Sequence, residues 1–278
     1  MVFLFYNYEI QNAFYRLKCK KVKFFSIGST SLSKNILCTH IGDYSKKQII
    51  VVGGVHAREW VTTLLVCKMI EFYKHKKFEG GIYFIPLLNP DGVDICINGT
   101  QNVCDESIRN QLIEKISNYS LIKCNSNLVD LNVNFPAKWA QGVKNQFSPS
   151  GENFVGYKSA SEKEVKALME FTKLVSPSLT LSFHSKGEEI YYNFNQTKSV
   201  LRRDLKFARV ASKLTGYKIK KLKGSVGGYK DWCVDSLKIP ALTIEVGCDS
   251  LAHPLTKKHL PKIFQQNFKL PLLMLENL

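Results

Sequence analysis

Several things are absent from this 278-residue sequence, and each absence excludes a class of protein. No apolar run approaches the roughly 20 residues that cross a bilayer as a helix. The apolar start, Met1 to Tyr8, is short, has no basic residues ahead of it and no small-residue cleavage site after it, so it does not read as a secretory leader. A cytoplasmic protein is therefore expected. Acid is scarce: 23 Asp and Glu stand against 39 Lys and Arg, a net charge of +16. Such an excess favours anionic partners or simply a solvated lysine-rich surface. The lysines are scattered as short pairs, such as Lys76-Lys77 and Lys257-Lys258. There is no arginine-rich arm, zinc-finger spacing or RNA-binding aromatic pattern, so no nucleic-acid partner is expected. None of the eight Cys forms a C-x-x-C pair, and their spacing matches no zinc ribbon or disulfide framework. They are expected to be mostly reduced thiols, although an even count leaves room for a few disulfides. Repeats, low-complexity tracts and linkers are missing too, so residues 1–278 are expected to form a single domain. Nothing in the sequence sets the oligomeric state.

What is present is a core. Apolar residues make up 45% of the chain, enough to fold without staples. Gln48 to Val52 is β-branched, ends in Gly53-Gly54 and reads as a buried strand; Trp60 to Tyr73 follows with helical spacing of its apolar residues. Gly81 to Leu87 is the next strand, and Asn89-Pro90-Asp91-Gly92 reads as the turn that stops it. Ser161 to Val175 reads as a helix, with Ser161 and Glu164 as a capping box. Leu179 to Phe183 is a strand running into His184, and Ala241 to Ile244 one running into Glu245. The alternation predicts an α/β fold of three α/β/α layers around a mixed, mostly parallel twisted sheet.

In this layout His56, His184 and Glu245 each fall just past the C-terminal end of a buried strand, the edge at which open α/β sheets bind ligands. His56 and Glu59 are three residues apart and share one face of a helical turn. Imidazole and carboxylate together suit Zn²⁺, whose catalytic sites take three protein ligands and leave a fourth position open. The third ligand must come from elsewhere, and His184 is the one His between residues 76 and 252. Taken singly, a lone His is more often structural; the shared strand-end setting favours a metal site, one zinc ion per chain.

These residues carry a resemblance. Val55-His56-Ala57-Arg58-Glu59-Trp60 resembles the first zinc motif of the carboxypeptidase A-like metallopeptidases. Asn89 to Gly92, Val129 to Pro136, Phe183-His184-Ser185 and Thr243 to Gly247 resemble its later motifs in the family's order, across about residues 25 to 270. The resemblance implies a single zinc metallopeptidase domain acting on peptides, with His56, Glu59 and His184 as metal ligands and Glu245 as general base. His184 to Tyr191, Phe135 to Trp139 and Gly227 to Trp232 bring the chain nearest to the bacterial branch that cuts γ-D-glutamyl-diaminopimelate bonds, which implies an acidic, wall-derived peptide substrate.

Further roles follow from the same resemblance. Lys123 falls near the place of the family's electrophile, with a surface lysine as the plain alternative. Asn132 keeps a hydrogen-bond donor for the substrate, whereas Val133 stands where the family has the Arg that holds a substrate's C-terminus. Lys230 aligns with the base of the primed-side pocket, or is a surface lysine. No Tyr stands near Lys223, where the family's capping Tyr aligns, which leaves Tyr229 as the nearest candidate. Arg58, beside the zinc motif, is read as orienting carboxylates around the site. Two other functions remain open at this level: a metallocarboxypeptidase trimming C-terminal residues, which Val133 disfavours, and a non-catalytic binder of wall fragments or acidic polymer.

Overall fold

The computed structural model describes residues 8–221 and 223–278; the stretch Met1 to Tyr8 weighed above lies outside it except for Tyr8. The helices are α1 (Tyr8–Cys19), α2 (Val61–Tyr73), α3 (Pro90–Asn98), α4 (Glu106–Lys115), α5 (Lys163–Val175), α6 (Lys198–Thr215), α7 (Tyr229–Ser236), α8 (Leu260–Asn267) and α9 (Leu270–Glu276). The strands are β1 (Phe25–Ser29), β2 (Asn35–Gly42), β3 (Gln48–Val52), β4 (Gly81–Ile85), β5 (Leu179–Ser185), β6 (Glu189–Tyr191), β7 (Lys218–Lys220) and β8 (Ala241–Val246). They form one eight-stranded sheet in the order β1-β2-β4-β3-β5-β8-β6-β7. β3, β4, β5 and β8 run parallel through its centre, and the edges bring in the antiparallel pairings β1–β2, β2–β4 and β6–β8. The expected mixed sheet is present.

Residue alternation explains the three layers. Ile49 and Val51 of β3 pack into one core with residues of α1, α2, α8 and α9; Ile50 and Val52 pack into a second core with residues of α5 and α7. A strand buried on both faces needs no polar alternation, which is why β3 reads as a near-continuous apolar run, whereas β5 is buried throughout but alternates apolar residues with Thr180, Ser182 and His184. Crossover helices then fall on either side of the sheet.

Four local readings are corrected. Asn89 to Gly92 does not end in a free turn: Asn89 caps α3, its Oδ1 accepting from Gly92 N–H at 2.9 Å, with Pro90 in the first turn. α2 starts at Val61, preceded by a separate 3₁₀ turn over Ala57–Glu59. The capping box at Ser161 does not form; α5 begins after Glu162, and Glu164 is wholly buried, where its carboxylate shares the Asn125 amide. His184 and Glu245 lie inside the last residues of β5 and β8 rather than beyond them. All eight cysteines are free thiols. Among the described residues, no helix is long and apolar enough to cross a membrane.

Candidate metal centre and cleft

The loop after β3 sets the first two candidate ligands. Gly54 adopts φ +59°, and a Cβ there would meet Leu87 Cδ1 and Thr63 Oγ1 at 2.6 Å each, so only glycine fits this turn. The turn delivers His56 in extended conformation and Glu59 at the end of the 3₁₀ turn. β5 delivers His184 from across the sheet, and the Ser185 N–H donates to Glu59 Oε2 at 3.1 Å.

His56, Glu59 and His184 are all buried and converge. His56 Nδ1 is 2.9 Å from Glu59 Oε1, His184 Nδ1 is 3.1 Å from Glu59 Oε2, and the two Nδ1 atoms are 3.2 Å apart. Three corners of a tetrahedron with bonds of about 2.0–2.1 Å lie about 3.3 Å from one another, so this spacing and donor set fit zinc. The second ring nitrogen of His56 faces Asp130 Oδ1 at 3.2 Å. A carboxylate behind a ligating imidazole fixes its tautomer and raises its basicity. Asp130 is itself held, its Oδ1 accepting from Asn132 N–H at 3.0 Å and its Oδ2 from Asn153 N–H at 3.2 Å. Behind His184, Nε2 is enclosed without a partner among the described residues.

Burial opposes charge on all these groups, and their mutual attraction decides the outcome. It works against the His56 imidazolium, but the Glu59 and Asp130 carboxylates outweigh it and raise the pKa to about 9. The same pairings hold Glu59 and Asp130 below the usual carboxylate range despite burial. Burial lowers His184. Glu245 is pushed up to about 8, first by burial and then by the Glu59 carboxylate, with His56 and Lys123 pulling the other way.

The β-sheet register places Glu245 directly opposite His184 on the neighbouring parallel strand, so both side chains leave the same face. Lys123 reaches the rim through a segment stitched to the metal loop, where Ala57 N–H donates to Lys123 O at 3.2 Å and Arg58 N–H to Ile122 O at 2.9 Å. Its ammonium lies 3.8 Å from Glu152. Arg58 also pairs with Glu152, at 3.4 Å, and donates to Leu121 O at 2.9 Å; the carboxylate it orients is this one, not a candidate metal ligand. Asn132 Oδ1 accepts from Tyr229 N–H at 3.2 Å, which leaves its NH₂ as the donor.

Two expectations change. Tyr229 is wholly buried, bonds its hydroxyl to Thr172 Oγ1 at 2.8 Å and packs between Phe135 and Trp232. It belongs to the core under α7 and does not reach a substrate. Lys230 is not a surface lysine: its side chain is 5% exposed, paired with Asp231, and donates to Asn193 O at 2.9 Å.

Asp130, Glu152 and His253 were given no role by sequence reasoning. Asp130 lies in the segment Val129 to Pro136. His253, in the loop after β8, is half-buried with Nδ1 enclosed and unpartnered among the described residues. Burial lowers it to about 4, and the charges of Glu59, Arg58, Lys186 and Lys123 act on it.

Comparison with known proteins gives the same picture. Residues 11–270 match the model of the zinc carboxypeptidase family. The chain is 29% identical over 259 residues to γ-D-glutamyl-L-diamino acid endopeptidase 1 of Lysinibacillus sphaericus, covering 86% of this chain and 64% of that protein. It thus spans less than two thirds of that relative's length. Bovine thrombin-activatable fibrinolysis inhibitor superposes with a TM-score of 0.74 at 20% identity, covering 96% of this chain and 93% of that one. Murein-tripeptide amidase MpaA of Escherichia coli O157 superposes with a TM-score of 0.62 at 19% identity, covering 90% and 91%.

Proposed function

The chain belongs to the zinc carboxypeptidase family, and on that footing we propose that it is a zinc-dependent peptidase that hydrolyses γ-D-glutamyl-diamino acid bonds in wall-derived peptides. The observation that carries the reaction class is the His56–Glu59–His184 cluster with Glu245 beside it on the same sheet face. Zinc held there supplies an acidified water and a polarised scissile carbonyl.

The protein side chains do the rest. Glu245 takes the proton from the attacking water and hands it to the leaving nitrogen. Asp130 fixes the His56 ring. Lys123, whose charge acts on Glu245, stabilises the developing negative charge by turning from Glu152. The Asn132 NH₂ positions the substrate. Val133 supports the substrate class: it is an apolar, buried side chain where a C-terminal carboxylate would need a guanidinium. Lys230 supplies buried positive charge near the leaving residue, already shared with Asp231, and a substrate carboxylate joins that pair. Similarity to the γ-D-glutamyl-L-diamino acid endopeptidase supports the same class.

The test compares kcat/KM of the zinc-loaded protein on an L-Ala-γ-D-Glu-meso-diaminopimelate peptide and on a peptide ending in phenylalanine, with products identified by mass spectrometry. Faster cleavage of the first is expected. Faster release of phenylalanine would replace this reading with a C-terminal trimming enzyme, and cleavage of neither would favour a binder.

A further inference from the structure

A row of three side chains crosses the sheet at the cleft. The register sets His184 of β5 opposite Glu245 of β8, and Glu245 in turn opposite Glu189 of β6. Residues directly opposite in neighbouring strands project from the same face with Cβ atoms about 4.5–5.5 Å apart. The row therefore runs from candidate metal ligand to candidate base to a further carboxylate with no role so far. Glu189 is partly exposed, whereas its neighbour Ile190 points into the opposite core.

Glu189 has two partners of its own. The Tyr191 hydroxyl donates to its Oε2, and the half-exposed Lys220 ammonium lies 3.4 Å from its Oε1. Burial and the Glu189 carboxylate raise the Tyr191 pKa, so the phenol keeps its proton and stays a donor. The carboxylate is thus fixed at one oxygen and already draws an ammonium at the other, on a lysine half in solvent and able to leave. Arg58 and Lys123, by contrast, are both paired with Glu152.

The reaction direction says which part of a substrate meets Glu189. The base returns its proton to the leaving nitrogen, so the departing residue lies against Glu245. One step along the same row, Glu189 is the next carboxylate within reach of that residue. We infer that Glu189, oriented by Tyr191, binds the free ammonium on the side chain of the departing diamino acid and so selects for a second amino group. The inference rests on the proposed cleavage at a diamino acid.

The zinc-loaded protein is tested in two ways. The first compares kcat/KM for the γ-D-glutamyl-meso-diaminopimelate peptide with that for the same peptide carrying 2-aminopimelate, which keeps the distal carboxylate and lacks the amine. The second measures, by calorimetric titration, binding of free diaminopimelate against free 2-aminopimelate. The wild type should prefer the amine roughly tenfold or more in both, the size of a charge-assisted hydrogen bond. Glu189→Gln should bring the ratio close to one, and Tyr191→Phe should lower it partway. If Glu189→Gln fails to fold, Glu189→Asp, which keeps the charge but shortens its reach, and Tyr191→Phe give the same ratio. Equal losses on both ligands, or a wild type with no preference for the amine, would overturn the inference. Cleavage without amine preference would sink this subsite and spare the reaction. A Glu189-dependent preference in binding without cleavage of the γ-glutamyl bond would do the reverse.

Discussion

The protein buries two groups of carboxylates, and they are put to different uses. Under α5, Asp91, Glu162 and Glu164 are almost wholly enclosed. Asn125 donates to Glu162 at 2.7 Å, Asn127 donates to Glu162 at 2.8 Å, the Leu32 N–H donates to Asp91 at 3.0 Å, and Lys34 lies 3.8 Å from Asp91. At the candidate metal centre, Glu59 and Asp130 are equally enclosed, but besides main-chain N–H donors their partners include the imidazoles of His56 and His184. One carboxyl in each region is pushed up to about 8: Glu164, by burial and then by the Asp91 and Glu162 charges, and Glu245, by burial and then by Glu59. A displaced carboxyl pKa therefore does not by itself mark a site. What separates the regions is the company: side-chain and main-chain amides under α5, against histidine nitrogens at ligand spacing.

That contrast breaks first at the ligands. His56→Ala combined with His184→Ala should abolish stoichiometric zinc and turnover while the fold persists, because the two cores do not depend on the metal. Elemental analysis and circular dichroism check it; a zinc-replete double variant would remove these residues as ligands. Next in size, Glu245→Gln should keep zinc and lose at least about 10²-fold in kcat; activity within a few-fold of wild type would assign the base elsewhere. Asp130→Asn should weaken zinc binding by about 10- to 100-fold, read by competition with a chelator. Unchanged affinity would reduce Asp130 to a packing role.

A change outside the metal centre sharpens the contrast from the other side. Glu164 has an ordinary unfolded pKa near 4.5 and a folded one of about 8, so the folded state holds the extra proton between those values. Its contribution is therefore full below the unfolded pKa and is lost as pH rises towards 8. Glu164→Gln does not titrate. It should be near wild type in Tm at pH 5 and more stable at pH 8, by about 3–4 kcal/mol. An equal Tm difference at both pH values would show that Glu164 carries its charge throughout.

The centre of the sheet was readable in the sequence because it rests on local patterns: β3 and β4 are almost wholly apolar, and β5 and β8 are short segments rich in apolar and β-branched residues between turn residues; the candidate ligands His56 and Glu59 share one turn. The edges were not. β6 and β7 have three residues each, too few to show a period, and the row from His184 to Glu189 exists through register alone. The role expected of Tyr229 failed because exposure cannot be read from residue type; a tyrosine opening a helix packs inward when that face meets Phe135 and Trp232. Lys230 was open to either reading until Asp231, its immediate neighbour, turned inward beside it. Ser161 and Glu164 have the spacing of a cap, but burial of Glu164 outweighed the terminal hydrogen bond that spacing offers.

The division of β3 between two cores bears on which changes of length the chain tolerates. Every residue from Gln48 to Val52 is buried, odd positions facing one helical layer and even positions the other. One inserted residue would exchange the two sets and carry the Gly53-Gly54 turn about 3.3 Å further along the strand axis. Such an insertion cannot be absorbed by sliding, because β4 and β5 hold the strand on both sides. The half-exposed connection from Gly142 to Glu152 has no such double lock, so tolerated insertions should collect there and stop short of β3.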